Sequence, residues 1–179
     1  MVYDDERHEY SDNGKVIPSV TQILYPSPSG PWFNKESSDR GHTAHELCAA
    51  YARDPSAGFP VEPYVDAFAL WCFKRNPKWL AIEEMIDAKV DGFRFAGRYD
   101  GLALIDGIRT LIDWKTGVKA KTFRAQLGGY AIAALPRRTL ILYLHDDMTY
   151  TENWLPSSDF VLGIQDFRKE IGEYYAKAN

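Results

Sequence analysis

The sequence predicts an α/β fold: a mixed central sheet of about five strands flanked by helices on both faces. Three observations carry that expectation. Two apolar runs, Gly101 to Ile105 and Arg109 to Trp114, flank Asp106-Gly107. An Asp-Gly between apolar runs marks a tight hairpin, because glycine accepts the positive φ of a reversed turn. Apolar residues recur at three- and four-residue spacing before and after the hairpin, as helices require. The order of elements is the third observation: helices first, then three strands including the hairpin, a helix, and two more strands.

Taken in order, His8 to Pro18 reads as a short strand and a turn around Asp12-Asn13-Gly14. Ser19 is a natural N-cap for a short helix through Leu24, its hydroxyl satisfying orphan backbone donors. Tyr25 to Trp32 carries Pro26, Pro28, Gly30 and Pro31 and reads as a loop. Trp32 and Phe33 beyond it either pin that loop to the core or offer rings for stacking single-stranded bases. A helix is expected from about Ser38 to Arg53, capped by Ser38 or Asp39, with Ala44, Leu47, Cys48 and Tyr51 as its buried stripe. Gly58 to Pro63 interrupts the chain, and Tyr64 to Arg75 forms a second amphipathic helix with Phe68, Trp71 and Cys72 inward.

Ala81 to Val90 is expected as the first strand of the sheet, followed by the Asp106-Gly107 hairpin. Thr122 to Leu135 is a helix ended by Pro136, although Gly128-Gly129 inside it costs about 1 kcal/mol per glycine relative to alanine. Close approach to the sheet or to a substrate would compensate. Thr139 to His145 is a continuous apolar strand, turned by Asp146-Asp147 into Thr149 to Leu155. From Ser157 to Lys177 runs a surface helix that packs Phe160, Ile164, Phe167, Ile171 and Tyr174 inward.

The 179 residues suffice for one good core, so residues 1–179 are expected as a single domain. Within it, residues 1–80 form a mainly helical N-terminal part and residues 81–179 a sheet-containing core. Apolar content of 45% and charged content of 26% are ordinary globular values. No apolar run approaches about 18 residues, so no membrane helix is expected. The polar, acidic stretch Met1 to His8 does not resemble a signal peptide. Cys48 and Cys72 are too few for a four-thiolate iron–sulfur cluster and lack zinc-ligand spacing; buried, reduced thiols in a cytoplasmic compartment are expected.

Asp100 stands six residues before the hairpin turn and Asp113 six after it, which makes them near cross-strand neighbours. Asp113 and Lys115 leave their strand on one side and Trp114 on the other. Two carboxylates and an ammonium at the open end of one hairpin suit a hard divalent cation. On these residues alone, a solvated charged hairpin end is the favoured reading, since edge strands often carry alternating charge. Leu111 and Ile112, however, set Asp113 at the end of a buried strand, and Gln126 and Tyr130 share one face of the next helix. The net charge is −4, yet Lys89 to Arg124 holds eight basic residues against four acids. A basic surface can therefore surround such a site on an acidic chain.

Five pieces stand in sequence along residues 18–130: Pro18-Ser19-Val20-Thr21 with Ile23-Leu24, Arg40-Gly41 with His45, Gly97 with Asp100, Asp113-Trp114-Lys115-Thr116, and Gln126 through Tyr130. In order and spacing they resemble the RecB-like branch of the PD-(D/E)xK nuclease superfamily, close to its phage-type exonucleases. The residue before Asp100 is Tyr99 rather than the proline that names the superfamily. The resemblance implies a restriction-endonuclease-like core and an Mg²⁺- or Mn²⁺-dependent deoxyribonuclease, an exonuclease on DNA ends in recombination, repair or phage DNA processing. It implies catalytic roles for Asp100, Asp113, Lys115, Gln126 and Tyr130. Metal ligation falls to His45, Asp100, Asp113 and the backbone carbonyl of Trp114.

An acid on the preceding strand assists the metal in this family. Glu84 is the position carried over, and adjacent Glu83 stays open because a one-residue slip reverses the face. Arg40, Arg98, Lys119, Lys121 and Arg124 are the expected DNA contacts. DNA is the expected partner, with a homo-oligomer or a phage recombination partner in keeping with the resemblance, in a bacterial or phage-encoded cytoplasmic setting without membrane or iron–sulfur cluster. The chain alone does not separate exo- from endonuclease action, or 5′ from 3′ polarity. Two rivals stand beside this reading: a catalytically silent nucleic-acid-binding or inhibitory protein that kept the fold, and a non-nuclease metal-binding domain.

Overall fold

A computed structural model describes residues 1–4, 7, 9–25, 35–116 and 123–178, with the side chains of 35–39 and 178 outside that description. Its centre is a five-stranded sheet in the order β4 (Lys78–Val90), β5 (Phe93–Ile105), β6 (Ile108–Lys115), β7 (Arg138–Leu144) and β8 (Tyr150–Trp154). The pair β6–β7 is parallel and the other neighbours are antiparallel, so the sheet is mixed as expected. A parallel pair needs a crossover element, and α4 (Phe123–Ala134) supplies it.

Asp106-Gly107 turns β5 into β6 with φ of 53° and 75°, the all-positive pattern of a two-residue hairpin. Asp91-Gly92 does the same between β4 and β5, at 52° and 86°. That second hairpin makes β5 far longer than the Gly101 to Ile105 run, and β4 begins at Lys78 rather than Ala81. The first seventeen residues also differ from one strand and a turn. They form a separate antiparallel sheet of β1 (Val2–Asp4), β2 (Glu9–Asp12) and β3 (Lys15–Ile17), turned at Asn13-Gly14. It docks where Ala96 N–H donates to the carbonyl of Pro18 at 3.0 Å.

The central sheet separates two apolar layers. On one face α2 (Lys35–Arg53) and α3 (Pro63–Arg75) place Cys48, Phe68 and Trp71 against Ile112, Trp114, Leu140 and Leu142. On the other, α1 (Val20–Leu24), α4 and α5 (Ser157–Ala178) place Val20, Leu127, Phe167 and Ile171 against Phe95, Leu111 and Ile141. The alternation in β6 and β7, with 111 and 141 on one layer and 112, 140 and 142 on the other, is the period of two that a sheet covered on both faces demands.

Ser19 caps α1 in a full capping box: its Oγ accepts from Gln22 N–H, and Gln22 Oε1 accepts from Ser19 N–H. Helix α2 starts at Lys35, ahead of the expected Ser38. The Gly128-Gly129 pair is explained by α5, not by the sheet or a substrate. A Cβ on Gly128 would stand 2.1 Å from the carbonyl oxygen of Gly163, and one on Gly129 would meet the Phe167 ring at 2.9 Å. Glycine lets the two helix backbones touch. Among the described residues no helix is long and apolar enough to cross a membrane.

Candidate active site

Pairing of β5 with β6 runs only to Gly101 and Ile112, one residue short of the two aspartates. There the strands part, and Asp100 Oδ2 accepts the Trp114 N–H at 2.9 Å in place of a ladder carbonyl. Trp114 turns its indole to the other layer, against Phe68 at 5.1 Å and Trp79 at 6.2 Å between ring centres. Asp113 is 3% exposed. Its Oδ1 accepts from Lys115 Nζ at 2.8 Å, whereas its Oδ2 is buried with no hydrogen-bond partner among the described residues. The Lys115 ammonium also lies 5.3 Å from the Phe123 ring centre, on the first residue of α4.

Helix α2 brings His45 to the same place, with Nδ1 at 3.5 Å from Asp100 Oδ1. Gly41, one turn earlier, lies against Thr116 just beyond β6, where a Cβ would meet its Oγ1 at 3.5 Å. Strand β4 contributes Glu83. Pairing with β5 is in register on either side, Ile82 with Gly101 and Glu84 with Tyr99, but Glu83 itself has φ 51°. A left-handed conformation in a non-glycine residue is uncommon and strained. One donor atom each from His45, Glu83 and Asp100 lie within 4.8 Å of one another.

The electrostatics of this cluster follow from too many acids in too little water. Burial pushes the Asp113 carboxyl above its ordinary pKa, with Asp100 adding repulsion and Lys115 only partly offsetting both. Burial works against Asp100 as well, yet His45, Lys115 and the Trp114 N–H outweigh it and hold its pKa below the usual value. Glu83 is pushed up to about 7 by burial and by Asp100, with Arg98 opposing. Burial disfavours the charged forms of His45 and Lys115, but the neighbouring aspartates outweigh it and raise both. His45, Glu83 and Asp100 are a donor set that a divalent cation fits, and Asp113 adds a buried oxygen whose lone pairs accept no hydrogen bond among the described residues.

Glu84 is exposed opposite Tyr99, and Glu83 occupies the position beside His45 and Asp100. Trp114 engages the cluster through its N–H. Tyr130 is buried with its ring against Gly97, where a Cβ would lie 2.9 Å away, and burial raises the pKa of its hydroxyl. Gln126 Nε2 reaches the Tyr130 hydroxyl only at 3.5 Å, the outer limit of a hydrogen bond. Arg98 pairs with Glu83 at 3.0 Å, and Arg124 with Asp166 at 2.6 Å, which ties α4 to α5. Arg40 is exposed near the start of α2. Lys119, Lys121, Trp32 and Phe33 lie outside the described residues.

His45, Glu83, Asp100 and Arg98 line a cleft of about 620 Å³, together with His42 and Arg53. Arg53 was not singled out by the sequence; it reads there as the end of α2, and its Nη2 donates to the Ile82 carbonyl at 3.2 Å, beside Glu83.

No family model matches this chain, and no curated protein does. Solved structures do. The chain is similar to an alkaline exonuclease, LHK-Exo, from Laribacter hongkongensis, at 13% identity and a TM-score of 0.46, covering 90% of this chain and 93% of that one. The same exonuclease in complex with dAMP matches at 16% identity and 0.49, covering 88% and 76%. A phage-related exonuclease from Haemophilus somnus 129PT matches at 11% identity and 0.43, covering 90% and 94%. These are likenesses only. The chemistry rests on the side chains described above.

Proposed function

We propose that this chain is a divalent-metal-dependent deoxyribonuclease, an exonuclease working from DNA ends in recombination, repair or phage DNA processing. The observation that carries the reading is the buried, unpartnered Asp113 Oδ2 beside Asp100, with His45 and Glu83 completing a cluster of donors. A buried charged oxygen without a partner is costly, and natural proteins retain one where a ligand satisfies it. His45, Glu83, Asp100 and Asp113 would hold the metal, with the Trp114 carbonyl as a further oxygen. Oxygen donors favour Mg²⁺, and the imidazole admits Mn²⁺. Bound there, the ion would supply Lewis acidity and an activated water for phosphodiester hydrolysis.

The chain's own groups have separable tasks. Lys115 uses one N–H on Asp113 and has two more with which to reach a phosphoryl oxygen or the attacking water, and it stays protonated because the aspartates favour the ammonium. Its charge is then fixed before charge develops on the phosphorus oxygens, which is where such a contact accelerates reaction. The Trp114 N–H fixes one oxygen of Asp100 and leaves the other toward His45. Arg40, with Lys119 and Lys121, would track the DNA backbone. Gln126 would act on the substrate side of α4, with Tyr130 as the buried support beneath it.

The test is incubation of purified protein with linear and closed circular DNA in Mg²⁺, Mn²⁺ or EDTA. Loss of linear DNA alone, abolished by EDTA, is the expected result. Cleavage of circles replaces exonuclease with endonuclease action. No metal-dependent loss of either form rejects the reading in favour of a silent binding protein.

A further inference from the structure

The small N-terminal sheet is fastened to the central sheet by two arginines four residues apart on β5. Arg94 pairs through Nη1 with Asp12 of β2 at 2.8 Å and through Nη2 with Asp87 of β4 at 2.6 Å. Arg98 repeats the arrangement one step along. Its Nε lies 3.0 Å from Glu83 Oε2 on β4, and its guanidinium lies 5.2 Å from the ring centre of Tyr3 on β1. Tyr3 in turn lies against Tyr10, with ring centres 4.7 Å apart and planes tilted by 39°, and Tyr10 is buried on the middle strand β2. The two rungs differ in one respect. Asp87 is an exposed residue, whereas Glu83 is the strained residue of β4 whose carboxylate joins His45 and Asp100.

The geometry points to Arg98 as a positioning residue that, braced on the N-terminal sheet through Tyr3, holds the Glu83 carboxylate in the metal site. This rests on the metal-site reading above and extends it to the N-terminal sheet. A left-handed backbone in a strand persists only where surrounding contacts over-determine it, and the Arg98 bond is such a contact. Side chains that orient a ligand from behind affect metal affinity in this way. A different effect of the same arginine has the opposite sign. As a cation beside Glu83 it would compete with a metal, and its removal would then tighten metal binding.

Mn²⁺ titration calorimetry on wild type, R98M, R98K, Y3L and R94M, beside melting temperatures in EDTA, separates the two. Expected is a loss of Mn²⁺ affinity of about 10–100-fold in R98M. R98K should recover part of it, and Y3L should show a smaller loss in the same direction. R94M should melt lower yet bind Mn²⁺ as wild type does. An R98M protein that binds Mn²⁺ equally or more tightly overturns the inference, as does an R94M loss as large as that of R98M. Should R98M not fold, Y3L decides: reduced affinity at an unchanged melting temperature supports the inference, and unchanged affinity overturns it. Wild type binding no Mn²⁺ overturns the metal-site reading itself.

Discussion

Replacing Asp113 by asparagine separates the cost of the candidate site from its use. In metal-free protein the change has two effects of opposite sign. The amide removes a buried charge that faces Asp100, and it weakens the 2.8 Å contact with Lys115 while still offering that ammonium an oxygen. Lys115 also keeps Asp100 as a charged neighbour. The net effect should be within about 1 kcal/mol, or about 4 °C in melting temperature for a chain of this size. Metal changes the picture. A ligand at one hundred times its dissociation constant stabilises the native state by about 2.7 kcal/mol, which corresponds to about 5–11 °C. Differential scanning fluorimetry in EDTA and in a Mn²⁺ series measures both quantities. Wild type should gain that shift, and Asp113→Asn should lose nearly all of it from a similar starting point. A full Mn²⁺ shift in the variant, or none in wild type, would refute the reasoning.

Three further outcomes are expected. Gly128→Ala gains about 1 kcal/mol of helix propensity but must push α5 away, since its Cβ would lie 2.1 Å from a backbone oxygen; a net loss of about 1–3 kcal/mol should appear in the urea midpoint. Glu152 accepts hydrogen bonds from Arg75, Trp71 and Trp154, and although burial pushes its pKa up, these bonds outweigh it and hold it low. Its contribution is therefore complete above about pH 4.3 and lost as the pH falls through the depressed folded value. Glu152→Gln should cost about 1.5–3 kcal/mol at pH 7, with the gap to wild type closing in acid, as chemical denaturation across pH will show. His45→Ala should weaken Mn²⁺ binding in calorimetry and lower the melting temperature in EDTA only modestly, because the ring is a quarter exposed and Lys115 and the Trp114 N–H still compensate Asp100. A lowered melting temperature with intact affinity would make it a packing residue.

The five-stranded sheet and its helical layers were legible because β7 and much of β6 are uninterrupted apolar runs and the period of 3.6 is plain in α3 and α5. The Asp106-Gly107 turn was equally plain. Asp91-Gly92 is the same signal, but the polar residues after it, Arg94 and Arg98, hid the first half of β5, although the strand before it was expected. The N-terminal sheet was missed because three- and four-residue strands have too little periodicity to read. At the site, the juxtaposition of Asp100, Asp113 and Lys115 follows from counting residues out from a known turn. That Glu83 and not Glu84 lies beside His45 and Asp100 has a specific reason. Alternation assigns faces only in a regular strand, and a residue at φ 51° breaks the rule at the one position where it mattered. Arg98 counted as a spare cation because a sequence does not show which basic residue already has an acid.

The central claim is that the hairpin end formed by Asp100, Asp113 and Lys115 is a hydrolytic centre, and Lys115→Ala tests it most directly. The variant keeps every candidate metal donor and removes only the ammonium held by Asp113 Oδ1. Single-turnover cleavage of linear DNA, measured beside Mn²⁺ titration of the same preparation, should show metal affinity near wild type and a rate lower by about 10²–10³-fold, the usual cost of one lost transition-state contact. A variant that binds metal and cleaves DNA at the wild-type rate would contradict the account.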